Sequence, residues 1–140
     1  MNFLVTGGAG FIGSNLCERL LLEGHSVWAF DDLNDFYTPA RKERNLEELR
    51  GLGKPFVFVE GSLTKQSDVD RLFSAAHFDQ IVHLAARAGV RPSFDDPVLY
   101  QEVNVNGTVR ILEAARRANI KKLVIASSSS VYGEIGRAHV

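Results

Sequence analysis

Short apolar runs alternate along the chain with longer segments in which apolar positions recur every three or four residues. Asn2-Phe3-Leu4-Val5 predicts a first strand, and residues around Phe11 to Leu22 follow with Ile12, Leu16, Leu20 and Leu21 at helical spacing. Glu23-Gly24-His25 ends that helix, with Gly24 in a good C-terminal capping position. A second strand runs from about Ser26 to Asp31, followed by the polar loop Asp32-Leu33-Asn34-Asp35-Phe36-Tyr37. Thr38 and Pro39 read as N-cap and first residue of a charged helix near Ala40 to Arg50, which Gly51-Leu52-Gly53 breaks. Phe56-Val57-Phe58-Val59, Gln80-Ile81-Val82-His83-Leu84 and Leu123-Val124-Ile125-Ala126 predict strands three to five. Between them lie a short helix, Ser67 to Ala76, and a long helical pattern from about Pro97 to Ala118. Val98, Val105, Val109, Ile111, Leu112 and Ala115 are among the apolar positions of that pattern.

The strands are short and apolar throughout rather than alternating, which suits a parallel sheet covered on both faces. Alternation of strand and helix then predicts an α/β, Rossmann-type doubly wound parallel sheet, truncated after about five strands. Residues 1–133 are expected to form this one incomplete domain. In such sheets ligands bind at the carboxyl ends of the strands.

Composition narrows the partners. A chain of 140 residues is long enough for one domain with a real core. Sixteen basic and 17 acidic side chains nearly balance, so neither nucleic acid nor an anionic membrane is an expected partner. No apolar stretch approaches bilayer length, and Met1-Asn2-Phe3 runs into a strand with no room for a signal peptide. The single cysteine, Cys17, has no internal partner, so a reducing cytoplasm is the expected compartment and a small buried thiol the expected role.

Candidate chemistry begins at Thr6-Gly7-Gly8-Ala9-Gly10-Phe11-Ile12-Gly13, a glycine-rich turn between the first strand and the first helix. Glycines let backbone approach a pyrophosphate, and a helix N-terminus supplies unpaired N–H groups. Gly8, Gly10 and Gly13 fit the dinucleotide fingerprint; Gly7, Gly10 and Gly13 fit Thr-Gly-x-x-Gly-x-x-Gly. Asp31 closes the second strand 18 residues after Gly13, near the spacing of about 20 expected for an acid on a ribose 2′-hydroxyl. A carboxylate there favours NAD over NADP, with no arginine nearby to offset its charge. His83 and Trp28 read as packed or hydrogen-bonded residues rather than reactive ones, and no metal is expected.

Three further segments make the pattern specific: His83-Leu84-Ala85-Ala86-Arg87-Ala88-Gly89-Val90-Arg91, Asn104-Val105-Asn106-Gly107-Thr108 and Ser127-Ser128-Ser129-Ser130-Val131-Tyr132-Gly133. With them the chain resembles the extended short-chain dehydrogenase/reductase family of NAD-dependent sugar-nucleotide epimerases and dehydratases. The Leu84-Ala85-Ala86-Arg87-Ala88-Gly89-Val90-Arg91 segment and the serine tract through Gly133 most resemble its UDP-glucuronate 4-epimerase branch, as does Asn34-Asp35-Phe36-Tyr37.

The resemblance implies NAD as cofactor, held by Gly7, Gly10, Phe11, Ile12, Gly13, Asp31, Asp32, Asn34, Ser62, Leu63, Leu84, Ala85, Ala86 and Asn104. Ser128 aligns with the catalytic Ser/Thr that hydrogen-bonds the sugar hydroxyl being oxidised, and Arg91 is placed to meet an anionic UDP-sugar substrate. Ser62 stands where the family often carries an adenine-contacting aspartate, which implies weaker adenine recognition. The full enzyme would oxidise the sugar at C4, let the keto intermediate turn over and return hydride to the other face. Family dimers pair through the helix near 97–118. Two rivals stay open: a nucleotide-sugar dehydratase, disfavoured by Ser129 and Ser130 where acids are usual, and a catalytically silent NAD-binding module.

The family's Tyr-x-x-x-Lys pair is expected some two dozen residues beyond Ser128. Tyr132 is the only later tyrosine, with Gly136 at the lysine position. Residues 134–140, Glu134-Ile135-Gly136-Arg137-Ala138-His139-Val140, do not resemble the family. They reverse-translate as GAG ATC GGA AGA GCA CAC GTC, which contains the start of a common short-read sequencing adapter. The tail is therefore expected to be a non-native, adapter-derived end. Resequencing the locus checks this: family-like sequence should replace the tail, and a genomic read carrying the tail and a stop codon would overturn it.

Overall fold

The computed structural model describes residues 1–35 and 38–132; Phe36, Tyr37, Gly133 and the 134–140 tail lie outside the described residues. Five strands, β1 (Asn2–Thr6), β2 (Ser26–Asp31), β3 (Phe56–Glu60), β4 (Gln80–His83) and β5 (Lys122–Ile125), form one parallel sheet in the order β3-β2-β1-β4-β5. This is the expected Rossmann-type arrangement. The chain leaves central β1 toward β2 and β3, then crosses back to β4 and β5, so the strand order reverses between β1 and β4.

Period-two alternation builds a core on each face. Phe3, Val5, Val27, Ala29 and Val82 point one way, onto Cys17, Leu20 and Leu21 of α1 (Phe11–Leu22) and Leu49 of α2 (Pro39–Gly51). Leu4, Phe30 and Ile81 point the other way, onto Val69 and Leu72 of α3 (Gln66–Ala75). Leu4, Leu21 and Ile81 are wholly buried, each contributing about 1.5–3 kcal/mol. Cys17 is buried as expected, and burial pushes its thiol up to about 12.

The long helical pattern is more articulated than its periodicity indicated. Two short helices, α4 (Val90–Asp95) and α5 (Pro97–Gln101), lead into a π-helical turn, Glu102–Asn106, and then α6 (Gly107–Arg117). α4 was not legible, because it is only six residues long and Pro92 within it reads as a helix breaker. Gly89 enters α4 at φ +98°, and the Asp96 side chain accepts from Leu99 N to cap α5. The apolar residues of this path lie on two opposite faces. Val103, Ile111, Ala114 and Ala115 join the core beside α3, whereas Val98, Val105, Val109 and Leu112 stay exposed. Among the described residues, β5 forms the outer edge, with Val124 and Ile125 exposed. No helix among them is long and apolar enough to cross a membrane.

Register sets the strand ends level: Thr6 pairs with Phe30 and with His83, Asp31 with Glu60, and His83 with Ile125. α1 packs so closely over the glycine turn that a Cβ at Gly13 would run into the Gly7 carbonyl. Gly51, at the end of α2, has open space around it. Gly13→Ala should therefore cost about 2–3 kcal/mol by overpacking. Gly51→Ala should gain up to about 1 kcal/mol from helix propensity. Urea unfolding of the two variants checks the contrast.

Candidate cofactor cleft

The level strand ends open onto a cleft of about 280 Å³. Its floor begins at the turn after β1. Gly7 adopts φ +71° and donates its N–H to the Phe30 carbonyl at 2.7 Å, turning the chain sharply off the strand. Gly10 then stands at the N-cap of α1 with no side-chain cap, leaving the first helical N–H groups to whatever enters. Gly7, Gly10 and Gly13 line the cleft, whereas Gly8 packs against Ala29. Of the two glycine spacings, the structure uses Thr-Gly-x-x-Gly-x-x-Gly. Phe11 and Ile12 line the same wall and are exposed.

Asp31 sits at the end of β2 and is 6% exposed. Its Oδ2 accepts from Ala9 N at 3.2 Å, and its Oδ1 accepts from Leu33 N at 2.9 Å and from Lys42 Nζ at 2.9 Å. Leu33 is held at φ 51°, rare for a residue with a Cβ, and the Asp31 carboxylate stabilises that bend. Asp32 Oδ1 accepts from Asn34 N and Nδ2, and both residues line the cleft. The cation that offsets Asp31 is one the sequence reading did not identify: Lys42 reaches it from α2, buried in an ion pair, and no arginine pairs with it among the described residues. Sequence offered only a basic residue in a charged helix 11 positions on.

The opposite wall comes from β4 and its neighbours. Leu84, Ala85 and Ala86 line it, with Arg87 beyond them, and Ser62 and Leu63 close the β3 side. The Ser62 hydroxyl is turned onto Thr64 Oγ1 at 2.8 Å, and its N–H donates to Asp68 Oδ2 at 2.9 Å. Asn104 does not line the cleft. Its Oδ1 accepts from Arg87 N at 2.7 Å and its Nδ2 donates to Arg87 O at 3.0 Å, so it acts on the wall through Arg87. Arg91 is exposed on α4, away from the lining, and Ser128 is exposed two residues past Ala126, the last residue of the lining. Among the described residues no cluster of His, Cys, Asp and Glu suits a metal ion.

Arg87 is a cleft residue that sequence reasoning missed. Among the described residues its buried Nε has no hydrogen-bond partner, although the residue lines the cleft. An arginine directly after two small residues at a strand end was the available signal.

His83 organises the wall from behind. Thr6 Oγ1 accepts from Leu84 N at 3.2 Å and Ala85 N at 3.1 Å, so its own proton goes to His83 Nδ1 at 2.7 Å. His83 therefore carries its proton on Nε2 and donates it to Thr108 Oγ1 at 3.0 Å, and Thr108 donates onward to Asn104 O at 2.7 Å. Burial pushes the imidazole down from its ordinary 6.5 to about 4, in keeping with this neutral, fully used ring.

The family model described as GDP-mannose 4,6 dehydratase matches residues 4–140. A UDP-glucuronate 4-epimerase from Thermodesulfobacterium geofontis is 42% identical over 130 residues, covering 93% of this chain and 40% of that protein. Among solved structures, a UDP-glucose 4-epimerase of Thermus thermophilus complexed with NAD superposes with TM-score 0.84 at 37% identity, over 99% of this chain and 42% of its own. One from Stenotrophomonas maltophila, with bound NAD and formylated UDP-arabinopyranose, superposes with TM-score 0.84 at 33% identity, over 100% of this chain and 40% of its own. The chain thus spans about two fifths of the length of the relatives it matches.

The depressed His83 pKa fixes a sign. Below about pH 6.5 the unfolded chain binds a proton that the folded chain refuses until about pH 4, so stability falls as pH drops through that window. The loss between pH 7 and pH 4.5 should be about 2–3 kcal/mol, and His83→Gln should flatten it. Urea unfolding at the two pH values reads the difference.

Proposed function

This chain belongs to the GDP-mannose 4,6 dehydratase family, and from that premise we propose that it is the NAD-binding part of a nucleotide-sugar 4-epimerase. The observation that carries the reading is the pairing of a Thr-Gly-x-x-Gly-x-x-Gly turn with a buried acid across one cleft at the strand ends. The residues fit a dinucleotide. A Cβ at Gly7 would stand 3.0 Å from Ala85 N, filling the approach between the two walls. Among the described residues the buried Nε of Arg87 at the same cleft has no partner, which suits an anionic ligand.

When bound, NAD supplies a reversible two-electron acceptor for C4 of the sugar. The chain's own residues do the rest. Gly7, Gly10, Phe11, Ile12 and Gly13 cradle the pyrophosphate on the N-terminus of α1. Asp31 accepts from the adenosine ribose, flanked by Asp32 and Asn34, while Ser62 and Leu63 border the adenine side. Leu84, Ala85 and Ala86 pass under the cofactor, and Asn104 fixes the adjoining backbone through Arg87. Ser128 hydrogen-bonds the sugar hydroxyl, and Arg91 meets the anionic part of a UDP-sugar. Ser129 and Ser130, in place of acids, favour epimerase over dehydratase. Exposed Val98, Val105, Val109 and Leu112 support pairing of two copies along the α5–α6 path. A reducing cytoplasm suits the lone buried thiol.

Isothermal titration of the 140-residue chain should give one NAD per chain, with Asp31→Ala weakening binding at least about tenfold. Without a Tyr-x-x-x-Lys pair to take the hydroxyl proton, the same chain should not epimerise a UDP-sugar. Absence of NAD binding overturns the cofactor reading, and measurable turnover overturns the inactivity.

A further inference from the structure

The Asp31–Lys42 ion pair changes what the ribose end of the cleft selects. Lys42 is 5% exposed and Asp31 6%, and both side chains line the cleft. Among the described residues Asp31 is the partner of Lys42, which leaves two ammonium donors beside the carboxylate. A bare carboxylate at a ribose would repel a 2′-phosphate strongly, because charges a few ångströms apart in a dry site are poorly screened. A carboxylate neutralised at 2.9 Å by a buried ammonium presents a pair of zero net charge.

We propose that Lys42 is a specificity-determining residue at the adenosine ribose: by neutralising Asp31 and offering its own N–H groups, it makes this end of the cleft tolerant of a 2′-phosphate. The inference rests on the dinucleotide reading of the cleft. Asp31 still accepts from the ribose hydroxyls of NAD, since the three protein donors on it leave lone-pair capacity on its two oxygens. With NADP, the ammonium faces the added phosphate and offsets the carboxylate. Discrimination between the dinucleotides then belongs to the pair, not to the acid alone.

The test is the ratio of dissociation constants, Kd for NADP over Kd for NAD, by isothermal titration at low ionic strength. Lys42→Met keeps an unbranched apolar stem and removes the charge; it should raise the ratio at least tenfold. Lys42→Arg, which keeps the charge, should leave the ratio within about threefold of the parent. Asp31→Asn should bring the ratio below one, and Asp31→Asn/Lys42→Met should lose that gain. The double variant also leaves no buried unpaired charge, so circular dichroism on it separates misfolding from altered recognition. A lysine that merely positioned Asp31 would weaken NAD in Lys42→Met and leave the ratio level or lower, which would overturn the proposal while the dinucleotide reading stood. Failure of the parent chain to bind either dinucleotide would overturn both.

Discussion

Close backbone approach at the carboxyl end of β1 is the constraint on which the rest of the site depends. Thr6 and Gly7 must touch both neighbouring strands at once. The Gly7 N–H reaches the Phe30 carbonyl on β2, and the Thr6 hydroxyl takes two N–H groups from the chain leaving β4. A bulkier residue at Gly7 would meet the backbone of Leu84 and Ala85. Because these contacts join the strands on either side of β1, they set the separation of the cleft walls before any ligand arrives. The sheet provides level strand ends, and the Thr6–Gly7 junction turns them into a cleft of defined width.

Two buried polar systems then stabilise the walls, and they differ in kind. On the β2 side the system is ionic. Desolvating Asp31 and Lys42 costs several kcal/mol per ion, which their attraction offsets only with good geometry and further donors. Ala9 and Leu33 supply those donors, so the pair is held from three parts of the chain. On the β4 side the system is neutral. Thr6, His83, Thr108 and Asn104 form a directed chain of hydrogen bonds that consumes both ring nitrogens and ends on the π-helical turn. A neutral network pays less for burial, and it fixes one tautomer at physiological pH. The two walls therefore respond differently to solution conditions. Acid acts on the histidine side through protonation of a buried ring, whereas loss of either charged partner acts on the β2 side.

Much of the fold was legible because the strand and helix periods are strong and the connections short. β1, β2 and α1 follow directly from apolar runs, the Gly24 cap and the glycine turn. α4 and the π-helical turn were not legible: α4 is only six residues long with Pro92 among them, and one widened turn leaves no mark in the spacing of apolar residues. The cleft divides in the same way. Gly7, Gly10, Gly13 and Asp31, which line the cleft, stand out by residue type and spacing. Lys42 does not, because a lysine in a charged helix looks solvated until tertiary structure buries it. Asn104 lies off the cleft lining and reaches it only through the Arg87 backbone, a long-range pairing that residue spacing does not show.

The π-helical turn explains why that pairing is possible. Widening the helix by one residue alters which carbonyls bond within it and rotates the preceding residues relative to α6. Asn104 can then direct its amide at both backbone groups of Arg87 while its own carbonyl accepts from Thr108, four residues on. Val103 lies in the core and Val105, two residues on and on the opposite helical face, is exposed. The turn thus serves two demands at once: it lets one helical path pack against α3 and hold the loop that carries Arg87 to the cleft. That coupling ties the position of a cleft-lining cation to the packing of the α3–α6 core, so changes in core volume near Val103 should be felt at Arg87 before they are felt at the glycine turn.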